Sequence, residues 1–163
     1  MDFTLDSIKD IKLFQPKRGY RFSVDALLLE DFISAKQVHA GMELGAGSGI
    51  ISILLAKRLK DTKIIAVEIQ KSLARCAKKN VVINELEGRI EILNEDIKNL
   101  KKYFPPNKFD FVFSNPPFRK VKSGRLSIDE ERAAARHEIK ITLNDVITTA
   151  SYLLKNTGRF YLI

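Results

Sequence analysis

The chain has 163 residues, 45% of them hydrophobic and 29% charged, with a formal net charge of +8. That balance excludes a disordered chain and suits one soluble domain with its own core. No apolar run approaches the ~18 residues of a membrane helix, the N-terminus lacks the pattern of a secretory signal, and the single cysteine cannot form an internal disulfide, so a reducing cytoplasm is expected.

In chain order, Phe3, Leu5 and Ile8, then Ile11 and Leu13, alternate with polar residues and predict short strands or a hairpin over the entrance to a site. Ser23 reads as an N-cap, with Asp25 in the first turn of a helix reaching about Ile33. Strands and helices then alternate: a strand near Met42–Leu44, a helix over 50–59, strands at 63–68 and 90–93 flanking a helix at 71–84, a strand at 109–113, a helix at 143–155 and a strand at 159–163. Such alternation predicts an α/β fold of the Rossmann-like kind, an open, mostly parallel sheet with helices on both faces. Thr142 and Asp145 have the spacing of a capping box, and Gly158 is placed to close that helix. Gly41 stands where the first strand wants a large apolar residue, which predicts a weak strand or a bend. Cys76 falls with Leu73, Ala77 and Val81 on one helical face and reads as a small core residue. No repeat or low-complexity linker divides the chain, so one domain over 1–163 is expected, with 1–22 as an N-terminal hairpin and 23–163 as the core.

Two motifs carry chemistry. Glu43-Leu44-Gly45-Ala46-Gly47-Ser48-Gly49 leads from a strand into a helix. Gly45, Gly47 and Gly49 let backbone approach a nucleoside, with helix-end N–H groups beside it. Glu68 ends the next strand about twenty residues on, the distance at which an acid reaches ribose hydroxyls. The spacing is G-x-G-x-G, not the G-x-G-x-x-G of dinucleotide enzymes. Asn94-Glu95-Asp96 follows the third strand, and Asp96 is placed to meet an adenine edge or to form a surface turn. The second motif, Asn115-Pro116-Pro117-Phe118, follows the apolar strand at 109–113. The Asn115 side-chain oxygen and the Pro116 carbonyl can each accept one proton of a planar NH2 group, while Phe118 offers a stacking face or a core residue. Arg119, Lys120, Lys122 and Arg125 crowd the following stretch, with Arg132 and Arg136 beyond, and Lys12, Lys17, Arg18 and Arg21 crowd the N-terminal segment. This distribution favours a phosphate-rich partner over a plain solvated surface. His39 and His137 are far apart, and no His/Cys cluster suggests a metal.

Glycine turn, strand-end acids and N-P-P-F in this order resemble a class I S-adenosylmethionine-dependent methyltransferase of the amino-methylating kind. The flanks Gly19–Leu29, Ser123-Gly124-Arg125 and Ala135-Arg136-His137-Glu138 are similar to the tRNA1(Val) adenine-N6 methyltransferase family. The resemblance implies S-adenosylmethionine as cofactor, held by Glu43, Gly45, Gly47, Gly49, Glu68, Asp96 and Asn115. Phe22 and Asp25 either touch its methionine end or staple and cap a helix. It implies Asn115, Pro116 and Phe118 as catalytic residues, and tRNA as substrate, contacted by Arg119, Lys120, Lys122, Arg125 and Arg136. The N-P-P-F corner also serves enzymes that methylate protein glutamine or DNA adenine, and a catalytically idle cofactor- or RNA-binding remnant is a further alternative. The family's usual final helix and hairpin are lacking after 159–163, so a missing C-terminal segment or a second subunit is expected to cover that edge.

Overall fold

Residues 3–8, 10–17, 21–34, 38–116 and 141–163 are described in this computed structural model. β1 (Phe3–Ile8) and β2 (Ile11–Pro16) form an antiparallel hairpin. α1 (Val24–Phe32), β3 (Ala40–Leu44), α2 (Ile50–Arg58), β4 (Lys63–Val67), α3 (Lys71–Ile83), β5 (Ile90–Leu93), a 3-10 helix (Ile97–Lys102), β6 (Phe109–Ser114), α4 (Leu143–Leu153) and β7 (Leu154–Leu162) follow. The second sheet is parallel throughout, in the order β5-β4-β3-β6-β7. Its first strand in sequence therefore lies at the centre, with later strands added first on one side and then on the other. The direction reverses between β3 and β6, which opens a crevice at their carboxyl ends.

The alternation of side chains along each strand feeds two cores. Ile64 and Ala66 of β4, Ile90 and Ile92 of β5, and Phe111 and Phe113 of β6 pack under α1, α2 and α3. Met42, Leu44, Val67 and Val112 pack on the opposite face against the 3-10 helix and α4, through Ile97, Leu100, Val146, Ala150 and Leu153. Burial on both faces explains why these strands read as nearly continuous apolar runs. Among the described residues no helix is long and apolar enough to cross a membrane.

The predicted hairpin, capping box and core cysteine are all present. Asp145 donates its backbone N–H to the Thr142 hydroxyl (3.1 Å), and the Asp145 carboxylate accepts the Thr142 N–H (2.9 Å). Cys76 is 1% exposed and its thiol donates to the Phe14 carbonyl.

Both glycine readings need correction. Gly41 neither weakens nor bends β3. It pairs in register with Phe111, and a Cβ placed on it would lie 2.4 Å from the Phe111 ring. The ring fills the volume a larger residue would have occupied. Gly158 does not close the last helix. α4 ends at Leu153, not 155, and β7 starts at once with Leu154 beside Phe109. The ladder then shifts register before Arg159 meets Phe111. Gly158 lies in that irregularity, where a Cβ would come within 2.8 Å of Leu154 and 2.9 Å of the Lys155 carbonyl. The glycine serves a close approach inside a bulged strand, a role that helix-ending patterns do not reveal.

Gly41→Ala should therefore destabilise the chain by about 1–3 kcal/mol through overpacking. Urea denaturation checks this, and Phe111→Leu in the same chain should recover part of the loss.

Candidate active site

The parallel register brings the tips of β3, β4, β5 and β6 together. Leu44 pairs with Val67, and Val67 with Leu93. Glu43 pairs with Phe113, so Gly45 and Asn115 each leave the sheet two residues beyond a matched pair, on strands about 5 Å apart. The Ser114 hydroxyl ties the two exits by donating to the Leu44 carbonyl at 2.6 Å.

The turn between β3 and α2 is left-handed at three places, with φ of +80° at Gly45, +57° at Gly47 and +82° at Gly49. These values are why glycine stands at each. Every pinned peptide group in the turn has a partner. The Val67 carbonyl accepts the N–H groups of Gly45 and Ala46, both at 2.9 Å, and the Ala46 carbonyl accepts that of Gly49 at 2.8 Å. The Gly47 N–H donates to the Glu68 carboxylate at 2.8 Å. Two features of the turn invite a ligand. A Cβ at Gly45 would meet nothing within 4 Å, so the backbone there faces open space. Among the described residues the buried Ser48 hydroxyl has no hydrogen-bond partner, a cost that a ligand acceptor or donor would relieve.

Glu68 is 5% exposed. One of its oxygens takes the Gly47 N–H and the other the Gln70 N–H, both at 2.8 Å. Burial raises its pKa above the usual carboxylate range, and the N–H groups of Gln70 and Gly47 oppose that rise. Each oxygen keeps a lone pair beyond the bond it already accepts, enough for a pair of hydroxyls. Glu43 differs. It points into the core beneath α1–α3, is 1% exposed, and accepts the Ser52 hydroxyl of α2. Burial pushes its pKa up to about 8 against the weaker pull of Ser52. It supports the turn from below, through its bond to Ser52 in the first turn of α2.

The remaining sequence-predicted residues are more dispersed. Asp96 caps the 3-10 helix, accepting the Lys98 N–H at 2.9 Å, and is half-buried just past β5. Its neighbour Glu95 is drawn down to about 2, chiefly by the Tyr103 hydroxyl and then by the Asn99 amide. Phe22 is half-buried, packs on the larger core and donates its N–H to Gln15. Asp25 is exposed and accepts the Ser23 hydroxyl. Asn115 and Pro116 are half-buried at the tip of β6. Among the described residues the Asn115 amide has no hydrogen-bond partner. Phe118, Arg119, Lys120, Lys122, Arg125, Arg132 and Arg136 lie outside the described residues.

Sequence reasoning missed four residues. Asn94 donates to the carbonyls of Glu68 (2.8 Å) and Ile69 (3.0 Å), locking the β4 and β5 tips together. Ser114 and Ser52 have the roles given above, and Asn80 of α3 donates to the Ser48 carbonyl at 2.9 Å. The available signal was position: Asn94 and Ser114 each sit at a strand end, and Asn80 is a polar residue on the buried face of an amphipathic helix.

Residues 23–163 match the family model described as methyltransferase small domain. The chain belongs to that family. It is 31% identical over 156 residues to a tRNA1(Val) (adenine(37)-N6)-methyltransferase of Bacteroides thetaiotaomicron, covering 95% of this chain and 64% of the relative. It is 33% identical to a protein of the same name from Porphyromonas gingivalis, covering 96% of this chain and 63% of that one. The chain thus spans a little under two thirds of the length of these curated relatives. Its fold matches a crystal structure of a SAM dependent methyltransferase from Agrobacterium tumefaciens with a TM-score of 0.65 at 16% identity, covering 98% of this chain and 51% of the other.

Glu43 supplies a pH test of the local packing. Its folded-state pKa of about 8 lies above the ordinary 4.5. The unfolded chain therefore loses this proton first, and stability falls as pH rises from about 4.5 to 8, by on the order of 1 kcal/mol per pH unit. Below 4.5 both states are protonated and the effect vanishes. Glu43→Gln keeps a carbonyl for Ser52 but has no proton to lose. Its stability relative to the parent chain should grow steadily between pH 5 and pH 8 in urea melts.

Proposed function

We propose that this domain is the catalytic core of an S-adenosylmethionine-dependent N-methyltransferase acting on the exocyclic N6 amine of an adenine in tRNA. The observation that carries the reading is the coupling of two exits from the sheet: Asn115-Pro116 and the glycine turn leave adjacent parallel strands whose ends are joined by the Ser114 bond to Leu44. The names of the relatives and the net charge of +8 support tRNA as the acceptor.

The turn residues Gly45, Gly47 and Ser48 would hold the cofactor, with Glu68 on its ribose hydroxyls. Bound there, S-adenosylmethionine supplies a methyl group on a sulfonium that is already a good leaving group. The protein's own work is on the amine. An adenine N6 lone pair is delocalised into the ring and is a poor nucleophile. Asn115 Oδ1 and the Pro116 carbonyl accept its two protons, which returns electron density to nitrogen as its geometry becomes tetrahedral. Such bonds strengthen on the way to the transition state and so raise the rate. With the cofactor held by the turn, the neighbouring tips of β3 and β6 would present the amine to the methyl donor, and the proton the amine gives up on methylation would pass to solvent.

Labelled-methyl transfer to total tRNA followed by nucleoside analysis tests this reading, with N6-methyladenosine as the expected product. Methyl found only on protein would replace the RNA assignment by glutamine methylation. Absence of S-adenosylmethionine binding in calorimetry would indicate a non-catalytic domain. Asn115→Ala should lower transfer by at least about 100-fold and leave cofactor affinity within about twofold, because the role proposed for its amide is to hold the acceptor amine.

A further inference from the structure

The N-terminal hairpin is fastened to the domain by an amide ladder that the sequence did not advertise. Asn80 of α3 and Asn84, the C-cap residue just past its end, lie four residues apart and are both buried. Each pairs with one residue of β2 in a two-bond, backbone-like match. Asn84 accepts the Lys12 N–H at 3.1 Å and donates to the Lys12 carbonyl at 2.7 Å. Asn80 accepts the Phe14 N–H at 2.6 Å and donates to the Phe14 carbonyl at 2.9 Å. The spacing follows from geometry: alternate residues of a strand and residues four apart on a helix repeat at comparable intervals, ~6.6 and ~6 Å. The free edge of β2 is thereby satisfied by side chains instead of by another strand.

Asn80 does one thing more. Its second amide proton goes to the Ser48 carbonyl at 2.9 Å. That carbonyl shares a peptide plane with the Gly49 N–H, which donates to Ala46. The plane is held at both ends, by Asn80 on the oxygen side and by Ala46 on the nitrogen side. It leads into Gly49, a residue of positive φ, where the backbone has little preference of its own. Asn80 is 0% exposed, so in the docked state both of its bonds are shielded from water.

We infer that Asn80 is a positioning residue that couples docking of the hairpin to the geometry of the glycine turn, so that the turn is set for its ligand only when β2 is seated on α3. The inference rests on the reading of that turn as the cofactor site. By thermodynamic reciprocity, a ligand that prefers the set turn must also favour the docked hairpin.

Hydrogen exchange on the full chain, with and without S-adenosylhomocysteine, tests it together with calorimetric titration of the same ligand. In the parent chain, ligand should slow exchange of the 11–16 amides several-fold, although the ligand's site is the turn. Asn84→Ala should loosen the hairpin near Lys12 yet bind ligand within about twofold of the parent and keep the turn protected. Asn80→Ala should speed exchange across 45–50, weaken binding tenfold or more, and lose the ligand's effect on 11–16. Parent-like affinity and turn protection in Asn80→Ala, or a hairpin indifferent to ligand in the parent chain, would overturn the coupling. If Asn80→Ala does not fold, the parent-chain experiment still decides. If the parent binds no S-adenosylhomocysteine, the cofactor reading fails on its own, and the coupling stands or falls on whether Asn80→Ala, unlike Asn84→Ala, deprotects 45–50.

Discussion

A single carboxylate, that of Glu68, converts a flexible stretch of glycines into a defined surface. Three residues at positive φ carry almost no conformational preference, and ordering them costs more backbone entropy than ordering any other residue type. Glu68 offsets that cost by taking the Gly47 N–H on one oxygen and the Gln70 N–H on the other. The same side chain thus fixes both the turn after β3 and the exit from β4. Asn94 then secures the other side of that exit through the Glu68 and Ile69 carbonyls. Around this knot the turn's peptide planes are held by groups from three separate elements: Val67 of β4, Ala46 of the turn itself, and Asn80 of α3. Such a turn presents its remaining polar groups in place before any ligand arrives, which is the condition under which hydrogen bonds aid binding without a reorganisation penalty.

The sheet extends this order to the acceptor side. Parallel strands matched residue for residue turn a difference of seventy positions in sequence into adjacency in space, and the bond from Ser114 to the Leu44 carbonyl removes the slack that two independent loops would have. Asn115 follows that bond by one residue. Its amide is therefore carried on the end of a strand whose flanking side chains, Phe113 and Ser114, are both fully buried. Precision of this kind is what a site needs if its work is to hold an amine at a fixed angle to a neighbouring methyl group, since small displacements there cost large factors in rate.

Much of this was legible in the sequence because the signals are local. Apolar runs ended by acids or Asn gave the strands, the G-x-G-x-G spacing gave the turn, and Thr142 with Asp145 gave a helix start to the residue. The failures share a cause, which is that the deciding partner is distant in sequence. Gly41 looked like a defect because Phe111, seventy residues away, supplies its missing volume. Gly158 looked like a helix stop because the crowding that demands it comes from a bulged strand and from the Asp110 carbonyl of β6. Asn80 carries no turn or cap signature, Asn84 reads only as the C-cap of α3, and their four-residue spacing gains meaning only beside an unpaired strand edge. Glu43 and Glu68 could not be told apart by sequence, since both are acids at or next to the end of a strand.

What separates those two acids is the direction of the side chain at the strand end. Glu43 is the last but one residue of β3, and alternation turns it inward under α2, where it accepts from Ser52 and where burial outweighs those bonds and disfavours its ionised form. Glu68 stands one residue past β4, where the chain has begun to leave the sheet and two backbone N–H groups converge on it. Those N–H groups oppose the effect of burial on its pKa, as backbone donors do for any buried carboxylate. Two ionised carboxylates beneath one turn would repel, and Glu68 does raise the pKa of Glu43 by its charge. Protonation of the inner acid near neutral pH, with its pKa pushed up to about 8, removes one side of that repulsion. The two acids beneath one turn thus divide the work: Glu43 braces α2 from the core side, and Glu68 fixes the peptide planes of the turn and of the β4 exit.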